Sequence, residues 1–93
     1  MESNRPDLTF SEFEALLQGA FLPFSCTFRL LDNGSGFAFR ITDGDVRVLD
    51  VTYGNERRIT DRRARSVISQ TRTHLREKGR GLAPWRFPER GSQ

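Results

Sequence analysis

The chain has 93 residues, enough for one domain with one core and too few for two. Its hydrophobic fraction is 35%, its eight Phe residues make each core position bulky, and its net charge is +3. One cysteine, Cys26, excludes an internal disulfide, and with one histidine, His74, the chain lacks the residues for a Cys/His zinc site, so neither metal nor cofactor is expected.

The N-terminal stretch MESNRPDLTF holds no apolar run of the signal-peptide kind, and no apolar stretch approaches the roughly 20 residues that span a bilayer. A cytoplasmic protein with no membrane partner is the expectation. Charge is distributed unevenly. Residues 1–20 carry −3, 21–54 carry −1, 55–80 carry +6 and the remainder +1. A basic segment therefore follows an acidic body.

Thr9 with Glu12 three residues later has capping-box spacing, and Leu8 with Phe13 has that of a hydrophobic staple. Phe13, Leu16, Leu17, Ala20 and Phe21 then mark one helical face, which predicts a first helix over 10–21, stopped by Pro23. From residue 24 the period becomes two. Cys26, Phe28 and Leu30 precede a turn at DNGSG, and Phe37, Phe39 and Ile41 follow it. After TDGD, Val46 and Val48 hold one phase and Leu49, Val51 and Tyr53 the other. Either both faces are partly buried, or a bulge near Val48 flips the phase.

Thr60 is the predicted cap of a second helix that runs to about residue 78 and ends at Gly79, with Ala64, Val67, Ile68, Thr71 and Leu75 inward. The Gly- and Pro-rich end GRGLAPWRFPERGSQ forms a tail. The organisation expected is an N-terminal extension (1–8), a single αβββα domain (9–78) and a tail (79–93). The fold class is α+β, a three-stranded antiparallel meander with both helices on one face, and Phe28, Phe39, Leu16 and Ile68 buried together.

Catalytic groups do not converge. Cys26 takes an inward strand position where burial makes a thiol inert. His74 lies on the outer side of its helix. Turn geometry accounts for Asp32, Asp43 and Asp45. A non-enzymatic binding or regulatory protein is the expectation.

At about 100° per residue, Arg62, Arg65, Arg72 and Arg76, with Ser69 among them, fall in one band beside the apolar stripe. The band is roughly 21 Å long. The band is a solvated face or, since guanidinium groups suit bidentate contact with carboxylate or phosphate, a site for an acidic protein partner or for nucleic acid. The other sheet face, with Arg29 and Arg40 around Ala38, Thr27 and Thr42, offers a platform on which Trp85 of the tail can dock.

The string LLQGAFLPFSC, followed by a hairpin, a third strand and the helix segment ARSVISQ, resembles a family of small bacterial proteins known as a domain of unknown function. The resemblance covers residues 10–76 and is most specific at AFLPFSC, residues 20–26; it implies no catalytic residues. The order helix, three strands, helix is similar to the double-stranded RNA-binding domain, whose second helix opens with a basic cluster, as DRRAR (61–65) does here through Arg62 and Arg65. This chain has Asp61 within that cluster and a short DNGSG turn in place of a longer strand-connecting loop.

Overall fold

A computed structural model describes residues 8–55 and 58–88. Most of the expected N-terminal extension and the last five residues of the tail lie outside the described residues. The element order is α1 (Phe10–Ala20), β1 (Ser25–Leu30), a short 3-10 turn (Asp32–Gly34), β2 (Gly36–Asp43), β3 (Val46–Gly54) and α2 (Asp61–Glu77). This is the αβββα, α+β arrangement expected, with antiparallel strands in the order β1-β2-β3.

Both helices start as their sequences dictate. At α1 the Glu12 backbone N–H donates to the Thr9 hydroxyl at 3.0 Å and the Thr9 N–H donates to the Glu12 carboxylate at 2.8 Å, a complete capping box. At α2 the Arg63 N–H donates to the Thr60 hydroxyl at 3.0 Å. The two starts are tied together, since the Leu8 N–H donates to the Ile59 carbonyl at 2.8 Å. Helix α2 ends in a Schellman motif: Gly79 takes φ +79°, its N–H donates to the Arg76 carbonyl and the Arg80 N–H to that of Leu75, both at 2.9 Å. That turn sends the chain back along the helices.

Pairing of Cys26 with Ile41 and Phe28 with Phe39 puts the Phe-rich side of the hairpin inward. On β3 the register shifts beside Ile41 and Thr42, so Leu49, Val51 and Tyr53 oppose Ile41, Phe39 and Phe37 while Arg47 opposes Thr42. The phase change in VRVLDVTY is therefore a bulge at Val48, not a strand buried on both faces. The hairpin between β2 and β3 turns on Gly44 and Asp45, with Gly44 at φ +62°, a conformation glycine adopts without steric penalty.

One core cluster joins the inner sheet face to both helices, with Phe13, Leu17, Phe21, Phe37, Ile41, Val67 and Leu75 wholly buried. Phe39 and Ile68 are buried as expected; Phe28 and Leu16 pack against the same cluster but stay partly exposed, because each sits near its margin. Phe87 of the tail also belongs to the core, and Leu82 and Trp85 pack on it. The buried Thr71 hydroxyl donates to the Val67 carbonyl at 2.8 Å, so that polar group has a partner. No helix among the described residues is long and apolar enough to cross a membrane.

Candidate anion-binding cleft

Residues 80–88 run back over α1 and α2, held by backbone and side-chain bonds. The Ala83 N–H donates to the Leu22 carbonyl at 2.9 Å just beyond α1, and Arg80 pairs with Asp43 at 3.0 Å. Arg72 reaches into the junction and donates to the Ala20 carbonyl at 2.5 Å and to the Ala83 carbonyl at 3.1 Å. Trp85 lies over α1, where a Cβ at Gly19 would stand 3.5 Å from its Nε1. Phe87 lies beneath Arg65, whose guanidinium carbon is 4.3 Å from the ring centre.

The docked tail converts one flank of α2 into a cleft of about 250 Å³, lined by Arg65, Ser69, Arg72, Arg76, Trp85 and Phe87. Three of the four arginines of the sequence band thus meet in one place. Arg62 is exposed outside that lining. Arg86, which helical periodicity could not have found because it lies in the tail, joins Arg65, Phe87 and Pro88 around an adjoining depression.

The arginines of this region differ from those elsewhere in their carboxylate contacts. Elsewhere Arg40 pairs with Asp50 at 2.8 Å, Arg47 with the same carboxylate at 3.4 Å and Arg80 with Asp43. Among the described residues Arg62, Arg65, Arg72, Arg76 and Arg86 have no carboxylate partner. Burial, and then the charge of Arg76, lower the pKa of Arg72 below its ordinary value.

The expectation that Trp85 docks on the open sheet face is overturned. The Schellman turn and the Ala83–Leu22 bond carry the tail to the helical side, away from Arg29 and Arg40. Those two residues, with Thr27, Ala38 and Thr52, surround a separate depression of about 320 Å³ in which Arg40 is held by Asp50. The Arg40 hydrogen bond, with the charges of Arg40, Arg47 and Arg29, holds the Asp50 pKa below its ordinary value. Arg72 also differs from its sequence reading: its guanidinium serves the junction of α1, α2 and tail before it can serve a partner.

Cys26 is buried on β1, and desolvation, reinforced by Glu14, pushes its thiol up to about 12. His74 is exposed, across α2 from the cleft and facing β3. Among the described residues no group of three His, Cys, Asp or Glu is placed to hold a metal. Comparison with family models, with curated proteins and with solved structures finds no match.

Proposed function

We propose that this is a small non-enzymatic binding or regulatory protein whose cleft between α2 and the docked tail takes an acidic segment of a partner protein. The observation that carries this reading is the pair Arg65 and Arg76, which have no carboxylate partner among the described residues, beside the Ser69 hydroxyl and with Arg72 held behind them by the Ala20 and Ala83 carbonyls. Guanidinium forks bind carboxylates bidentately, and an adjoining aromatic wall lowers the local dielectric and strengthens each contact. A binding role is favoured over a catalytic one by the lining itself: its polar groups hold anions, and the chain's one thiol is buried elsewhere.

Nucleic acid on the same band is the second reading. Trp85 in the lining favours it, since an indole can stack on a base while Arg65, Arg76 and Arg86 take phosphates.

Titration of the purified protein with a poly-Glu peptide, duplex RNA, duplex DNA and single strands at about 50 mM salt, where phosphate contacts are strong, tests both. Micromolar binding of the peptide, lost in Arg65→Glu and Arg76→Glu with unchanged circular dichroism, supports the first reading. Binding of a nucleic acid with a log affinity against log salt slope of about −2 to −4 supports the second. Binding of none of the four removes the cleft as an acidic-ligand site.

A further inference from the structure

The strand order leaves β1 and β3 as the edges of the sheet, and they are finished differently. Helix α1 lies by β1, and its Gln18 amide donates to the Cys26 carbonyl at 2.6 Å. Strand β3, nine residues long, pairs only with β2 among the described strands. That edge, interrupted by the bulge at Val48, offers amides and carbonyls on either side of it that a further strand can pair.

The inner side of β3 is also incompletely covered. Leu49, Val51 and Tyr53 are half-exposed, whereas their β2 partners Ile41, Phe39 and Phe37 are buried. Between β3 and α2 runs an open groove of about 640 Å³, whose apolar wall is those three residues and whose helical wall includes Gln70, Thr73 and His74. Val46, at the start of the strand, is 56% exposed.

We propose that the β3 edge pairs antiparallel with the β3 edge of a second copy of this chain, about a two-fold axis passing between Val48 and Leu49, to give a continuous six-stranded sheet. Three observations select a second copy as the occupant. Arg47 and Asp50 lie on the outer side of β3, 3.4 Å apart and both exposed, and this register sets each against its opposite charge in the other copy. The same register brings the exposed Val46 against the half-exposed Val51 of the other copy, on the inner side. The flank of α2 facing the groove carries Gln70, Thr73, His74 and Glu77, with Arg63 over the Tyr53 ring at the far end of the strand, while Arg65, Arg72 and Arg76 line the opposite flank, so the arginine-lined cleft faces away from the second copy. A self-complementary patch of this kind is what an isologous interface requires.

Light scattering coupled to size-exclusion chromatography, from about 1 µM to 1 mM, reads the association directly. The expected result is a mass that rises from one chain to two over that range. Asp50→Arg, which also faces Arg40 of its own chain, should weaken the dimer at least tenfold, and the triple change Arg40→Asp, Arg47→Asp and Asp50→Arg should restore it. Thr73→Arg, at an exposed helical position, should weaken it as well, so an unfolded Asp50 variant would not leave the question open. A chain that stays monomeric to 1 mM, or a dimer indifferent to these substitutions, overturns the proposal; a monomer that binds an extended peptide along β3 overturns it in favour of a foreign strand.

Discussion

Arg72 donates to the carbonyl of Ala20 at 2.5 Å, joining residues 52 apart in sequence. Ala20 is the last residue of α1, where helical carbonyls lose their intrahelical donors. A guanidinium there satisfies an orphan acceptor and places positive charge at the negative end of the helix dipole. Its second bond, to Ala83 at 3.1 Å, extends the same anchorage to the tail.

Arg72→Met keeps the aliphatic stem and removes both bonds. The expected loss is about 1 to 2 kcal/mol, the range for hydrogen bonds to a partly exposed charged group. Trp85 emission should shift toward that of a free tail peptide before global unfolding, because the tail is the element held on one side only. Urea melts followed by Trp85 fluorescence and by circular dichroism should give separate transitions; coincident ones would show that Arg72 does not anchor the tail separately.

The parts of this fold that were legible in the sequence are those set by neighbouring residues. Thr9 and Glu12 announce a capping box within one turn, and Gly79 marks the end of α2, because the bonds concerned span three to five positions. The phase break in VRVLDVTY announced a bulge without choosing it over a strand buried on both sides; only pairing with Ile41 and Thr42 decides that. The tail's destination was not legible. Trp85 needs an apolar surface, and sheet and helices both offer one; the choice is made by backbone carbonyls at Ala20 and Leu22, which carry no residue signature. For the same reason the arginine band could be drawn on a helical wheel, while the division of labour within it, Arg72 inward and Arg65 and Arg76 lining the cleft, could not.

Phe39 is 2% exposed on the central strand and stacks on Phe21 at 5.9 Å and Phe37 at 6.4 Å between ring centres. Phe39→Ala should cost about 3 to 5 kcal/mol, close to the stability of a domain this small. A stability loss of less than about 1 kcal/mol in denaturant melts would contradict a core centred on the Phe cluster.

Gly36 opens β2 against the end of β3. A Cβ there would stand 2.3 Å from the Tyr53 carbonyl oxygen and 3.0 Å from the Gly54 Cα, both backbone atoms that move only with the strand. Gly36→Ala should therefore cost about 2 kcal/mol or more through displaced pairing. Gly54, its partner in the register, has open space where a Cβ would go and no positive φ, so Gly54→Ala should change stability by less than about 0.5 kcal/mol. Equal thermal shifts in the two variants would contradict the close approach.

The Cys26 thiol supplies a test at alkaline pH. Burial first, and Glu14 second, push its pKa from 9.0 up to about 12 in the fold, while in the unfolded chain it keeps its ordinary value. The folded-state pKa is raised, so its contribution to stability is fully present below pH 9 and is lost as pH rises toward 12: the unfolded chain gives up its proton first and is favoured. In that window the slope from this group approaches about 1.4 kcal/mol per pH unit. Cys26→Ala removes the group, and the difference between the two proteins cancels the tyrosine and lysine titrations they share. Urea melts at pH 8, 9.5 and 10.5, buffers chosen to span that window, should therefore show the wild-type chain losing stability faster than the variant, by roughly 1 kcal/mol or more at the last point. Parallel profiles would mean that Cys26 ionises as freely in the fold as in water and would contradict its burial, at 4% exposure, beneath the Phe cluster.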